Sequence, residues 1–257
     1  MADKSYKSYR QQLNILRSRG MVIGKGSQGS RVMRILEREN YYNVINGYKE
    51  LFLASKATAT ADEAYKTGTT FDEVHALYNF DREVRNIYLK YLLKLENTFK
   101  TVIAHEFSAK YGHDNYLKIE NFDNSTERNI SSSIKLIGDI QQEIARQMSK
   151  HHQVVTHYMT EHGYIPLWVL VNVLTFGKIE NFSVLGIVRA ADGSYTYGTN
   201  DAYAIAIMFA LLLSKSDLND FISSMRTAFG KLQKQLHTIS AADIMSIMGY
   251  DTNWTNL

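Results

Sequence analysis

From Phe71 to Gly112 the chain has no proline, and apolar residues recur at the three- and four-residue spacing of a helix face. They are Val74, Leu77, Tyr78, Val84, Ile87, Tyr88, Tyr91, Leu92, Leu95 and Phe99. A helix opening at Thr69-Thr-Phe71 and running towards Gly112 must bury that stripe against other elements, so the chain is expected to be mainly α. The single proline, Pro166, points the same way, because a chain of many short strands needs more turn punctuation. The absence of cysteine excludes a disulfide framework, thiolate metal sites and a cysteine nucleophile.

Other segments read as helices around this one. Residues 8–19 form a short helix ending at Gly20. Another starts near Ser30 with Val32, Ile35 and Leu36 inward, and a third runs from about Ser125 to Tyr158 with a break expected at Gly138. A core helix follows Pro166, and helices resume near Asp201, Ser216 and Ser240. Residues 55–70 read as an irregular connection. Asp192-Gly193 between β-prone flanks is the one hairpin signal. The expected architecture is a single-core helical bundle, with residues 1–68 as a basic N-terminal helical arm and residues 69–257 as the core. The two most apolar runs, at 165–176 and 202–213, fall short of the roughly 20 residues that span a bilayer, so the expected location is the cytoplasm, away from any membrane.

Charge is unevenly distributed. The first 40 residues carry Lys4, Lys7, Arg10, Arg17, Arg19, Lys25, Arg31, Arg34 and Arg38 against Asp3, Glu37 and Glu39, a surplus of six in a chain of net charge +3. Tyr41 and Tyr42 follow directly. Basic side chains neutralise phosphates and aromatic rings stack on unpaired bases, so this arm is a candidate RNA-binding element. The alternative is a solvated helix face whose tyrosines pack inward.

Sites for other chemistry are weaker. Gly24-x-Gly26-x-x-Gly29 matches a dinucleotide fingerprint as a string, but it lacks the strand before it and the strand–helix alternation after it, and reads as a flexible loop. His151, His152, His157 and His162 cluster without metal-ligand spacing, so neither metal nor cofactor is expected. An Arg followed a helical turn later by a His places a phosphate-binding cation beside a proton-transfer group. Arg146 with His151 fits that spacing at the frequency chance allows, and Lys100 with His105 is a near-match.

Longer motifs carry more. Residues 11–21 with Asn40-Tyr-Tyr-Asn-Val-Ile-Asn-Gly-Tyr48 form one block. Residues 68–82 continue through Leu95-Glu96, Ile103-Ala-His105 and Lys110-Tyr-Gly112, and His157-Tyr158 precedes residues 165–177. Together they resemble the abortive-infection Abi-like family that includes AbiD and AbiF. Leu236-His-Thr-Ile-Ser240, Asp243-Ile244 and Met248-Gly249 resemble AbiF in particular. The resemblance implies an antiphage protein with a HEPN-type helical core, a structured small non-coding RNA as partner, and a homodimer. It further implies metal-independent endoribonuclease activity through an Arg-Asn-x-x-x-His motif.

That motif is absent from this sequence. After Phe182, where the family continues for several tens of residues towards it, the chain passes through Asp192-Gly193 and rejoins the family pattern near Asp201. Arg85-Asn86 and Arg128-Asn129 each lack a His four places after the Asn. Three readings stay open: an RNA-restrained toxin ribonuclease, a catalytically silent RNA-binding or RNA-sensing module, and a protein-binding helical scaffold.

Overall fold

The computed structural model describes residues 6–175, 211–250 and 253–256. Helices dominate them, as the periodicity predicts. The helices are α1 (Tyr9–Ser18), α2 (Ser27–Glu39), α3 (Phe71–Tyr111), α4 (Glu127–Ser149), α5 (Gln153–His162), the single-turn α6 (Leu167–Leu170), α7 (Lys215–Gln233) and α8 (Ala241–Ile247). A small antiparallel sheet pairs β1 (Leu53–Ser55) with β2 (Ala64–Tyr65), Leu53 lying opposite Tyr65. Its strands fall partly in the segment read as an irregular connection; they are too short to display a period of two. The hairpin expected at Asp192-Gly193 and the start of the helix expected from Asp201 lie outside the described residues.

Local chemistry sets the helix ends. Ser8 caps α1 in a reciprocal box with Gln11, and Thr126, Ser214 and Ser240 cap α4, α7 and α8 through their hydroxyls; each such cap contributes about 1 kcal/mol. The break expected at Gly138 falls instead at Lys150–His152. There His151 adopts φ +53 and the His152 ring accepts the Val155 N–H to start α5. Gly138 has open space around it, so a helix passes through it at only the modest cost of its backbone freedom. α2 begins three residues earlier than its apolar stripe suggests, with Gly26 at φ +70 immediately before it.

The chain divides into two compact units, Met1–Tyr91 with Gly198–Leu257, and Leu92–Tyr197. Each has its own apolar cluster, where periodicity suggests a single core: a stripe records that a face is buried but not against what. In the first unit Leu13, Leu16, Val32 and Leu36 pack with Phe52, Val74, Leu77 and Tyr91 of the β1 approach and α3, and with Phe221, Met225 and Phe229 of α7. The expected arm is therefore part of a core. In the second unit Ala104 packs with Tyr116, Leu136, Ile140, Val155, Ile165 and Leu170. The Tyr116 hydroxyl donates to the Ile165 carbonyl at 2.8 Å. Among the described residues no helix is long and apolar enough to cross a membrane.

Candidate nucleic-acid interface

The same spacing that turns Val32, Ile35 and Leu36 inward places Arg31, Arg34 and Arg38 on one outer face of α2. α1 packs beside it, with Lys7 and Arg10 exposed. Between the two helices lies a groove of about 730 Å³ lined by Tyr9, Arg10, Ser27, Ser30 and Arg34, with one carboxylate, Glu37, at its wall.

The basic residues of the segment have unequal freedom. Arg17 closes the loop between α1 and α2: its Nε donates to the Ile23 carbonyl at 3.1 Å and its Nη2 to the Gly24 carbonyl at 2.6 Å. Gly29 lies against this fastening, where a Cβ would come within 3.2 Å of Arg17 Nη2. Two of the three fingerprint glycines thus serve the loop closure and the α1–α2 contact. Arg19 and Lys49 both bind Glu63, which is 7% exposed, at 2.6 and 2.7 Å. Arg31 pairs with Asp72, and Arg38 with Glu39 at 3.3 Å. Lys7, Arg10, Lys25 and Arg34 are exposed and form no ion pair among the described residues; Lys4 lies outside them. The groove therefore brings together Arg10 and Arg34, with Tyr9, 41% exposed, lining it beside them.

Tyr41 and Tyr42 separate. Burial, the largest influence on Tyr41, pushes its hydroxyl pKa up, consistent with an inward ring. Tyr42 is 70% exposed at the start of a π-helical turn, Tyr42–Asn46. It borders a second cleft of about 710 Å³ with Tyr48, Tyr78, Arg82 and Arg85. Here the Tyr78 hydroxyl donates to Glu39 at 2.9 Å, and Arg82 reaches the same carboxylate at 3.2 Å. That Tyr78 bond, opposed by slight burial and helped by Arg82 and Arg38, holds Glu39 below the ordinary carboxylate range. Tyr48 and Arg85 share Asp81. Arg82 and Arg85 lay outside the sequence-level candidates because no local charge surplus marks them.

The weaker catalytic candidates do not converge among the described residues. Arg146 is held by the buried carboxylate of Glu143 through Nε and Nη2. His151 is exposed in the α4–α5 turn. His105, exposed on α3, contacts Glu106 at 3.1 Å. None of the three is hydrogen-bonded or ion-paired to another. The described residues contain no group of three or more His, Asp or Glu arranged to hold a metal ion.

Comparison with known families bears on the whole. The family model described as Abi-like protein matches residues 34–240. The chain belongs to the Abi-like family. No curated protein and no solved structure matches it. Membership points to abortive-infection defence against phage. The matched residues begin inside α2 and run through α7, so α1 and the first turns of α2 precede them, and the groove rests on its own geometry.

Proposed function

We propose that this Abi-like protein is an RNA-binding component of antiphage defence of the AbiF, HEPN-type kind, acting in the cytoplasm and holding a structured small RNA in the α1–α2 groove. The observation that carries the reading is the groove itself. Arg10 and Arg34 are free of ion pairs among the described residues and stand beside the Tyr9 ring and the Ser27 and Ser30 hydroxyls. Paired arginines neutralise phosphates, hydroxyls bond phosphate oxygens, and a tyrosine ring offers a stacking surface. The test reverses Arg10 and Arg34 to Glu together and measures RNA affinity at several salt concentrations. Loss of two phosphate contacts lowers the salt slope by about 1.4–1.8, from roughly 0.7–0.9 per contact. Unchanged affinity and slope would remove the groove from the reading, and absence of copurifying RNA with salt-insensitive binding would favour a protein scaffold.

A catalytically silent form of the same reading is favoured by one observation. Arg146, the arginine with a suitably spaced histidine, is engaged by buried Glu143. RNA cleavage that persists in EDTA after bound RNA is stripped would rule for a metal-independent ribonuclease instead.

A further inference from the structure

The second unit holds a cavity that the basic groove does not explain. It lies between α3 and the α6 segment, has a volume of about 730 Å³, and is bordered by Asn97, Lys100, Ser108, His113, Trp168 and Asn172. That volume is within the range of small-ligand clefts. Trp168 is 52% exposed although its neighbours Leu167 and Leu170 are fully buried. Its ring is steadied by His113, centroids 5.6 Å apart, which in turn packs on Tyr164 at 5.2 Å. Leu167 N–H donates to the His113 carbonyl at 2.8 Å, tying that loop to α6. An indole face left in water on a braced element is a large apolar surface with a planar shape.

The polar wall narrows what could cover it. Lys100 is already bonded to Glu96 at 2.7 Å, so the cavity's lysine is neutralised and a phosphate gains little here. The Asn97 side chain makes no hydrogen bond among the described residues. Asn172 spends its Nδ2 on the Trp168 carbonyl at 2.8 Å, leaving Oδ1 as an acceptor. Ser108 Oγ is buried without a partner among the described residues. Free amide functions beside an aromatic platform, without an unpaired cation, match a neutral planar ring with donors and acceptors on its edge.

We propose that this cavity holds one unpaired nucleobase, stacked on Trp168 and read at its edge by Asn97 and Asn172. The base belongs to single-stranded or looped RNA, which rests on the RNA-binding reading, or else to a free mononucleotide. Duplex RNA keeps its bases stacked and cannot present one.

The two sources separate by fluorescence. The chain has two tryptophans, and Trp254 is only 4% exposed in the other unit, so stacking on Trp168 quenches the accessible emission. The full chain is titrated with a single-stranded RNA oligomer, with the same sequence as duplex, and with mononucleotides, while anisotropy of labelled RNA reports binding separately. Saturable quenching by the single strand and not the duplex, lost in Trp168→Ala, is the expected result. Trp168→Ala should weaken single-strand affinity about tenfold, and Asn97→Ala, which removes no hydrogen bond of the fold among the described residues, should shift base preference at unchanged stability. Quenching by mononucleotides alone would keep the base pocket and assign it to a free nucleotide. RNA binding without Trp168 quenching overturns the inference and leaves the groove intact. Mononucleotide quenching without any RNA binding does the reverse, and no quenching by any of the three overturns it outright.

Discussion

Glu73 is the residue whose replacement tests the first unit most directly. Its side chain is 0% exposed, yet it stands in the first turn of α3. Oε1 accepts from the backbone N–H groups of His237 and Thr238 at 2.7 and 2.6 Å and from the Thr238 hydroxyl at 2.7 Å. Oε2 accepts from the Thr70 N–H at 3.0 Å and its hydroxyl at 3.1 Å, while Thr70 Oγ1 receives the Glu73 N–H at 3.2 Å. This is a capping box whose carboxylate also fastens the turn after α7. Burial, the largest single influence, pushes the Glu73 pKa up, but the donors from Thr238, His237 and Thr70 together hold it below its ordinary value of 4.5.

Glu73→Gln keeps the shape and removes the charge. With the amide oxygen in the Oε1 position, three charge-assisted bonds become neutral ones, and the new NH₂ faces the Thr70 N–H, donor against donor. Weakened bonds and an unsatisfied donor of about 1–3 kcal/mol together give a loss of roughly 3 kcal/mol. For a chain of this size that lowers Tm by about 6–12 °C. Urea denaturation followed by Trp254 emission in a Trp168→Phe background reads the unit that contains Glu73. The pH dependence has a definite sign. A depressed folded pKa contributes stability that is complete above the unfolded value near 4.5 and lost as pH falls through the folded value. The gap between parent and variant should therefore be full at pH 7 and narrow below about pH 4.5. A loss under about 1 kcal/mol, where roughly 3 is expected, or a gap that widens in acid, would refute this account of the carboxylate.

Four further outcomes follow from the same reasoning. Glu63→Ala leaves Arg19 and Lys49 without their shared, nearly buried partner and should cost about 3 kcal/mol in urea denaturation, part of which Lys49→Met restores. Gly138→Ala, inside α4 with nothing within 4 Å, should raise the second unit's stability by up to about 1 kcal/mol. Gly163→Ala, at φ +77 after α5, should lower it by about 1 kcal/mol, both read from Tm. Arg146→Ala removes the guanidinium bonded to buried Glu143, so it should lower the second unit's Tm, and it should leave any RNA cleavage unchanged.

Much of this molecule was legible one residue at a time. The α3 stripe, the end of α1 at Gly20, the starts of α7 and α8 near Ser216 and Ser240 and the basic surplus before Asn40 are local patterns, and local patterns are written in sequence. The family blocks were legible as well, and they carry the defence assignment. Equally local signals misplaced the α4–α5 break. Gly138 marks a weak point in a helix, whereas the turn was made by His151 in a left-handed conformation, which no propensity singles out.

What tertiary structure decided is which charges are free and which surfaces are shared. Sequence ranked Arg10, Arg17, Arg19, Arg31 and Arg34 alike. Only the fold brings the Ile23 and Gly24 carbonyls to Arg17, Glu63 to Arg19 and Asp72 to Arg31, leaving Arg10 and Arg34 to line one groove. The partners of Arg19 and Arg31 are some 40 residues away along the chain. Trp168 was legible only as part of an apolar run, and its place in one cavity with Asn97 depends on packing between segments that share no local pattern. Sequence specifies what each element offers, because periodicity and capping act within a few residues; which offers are taken up depends on long-range contact.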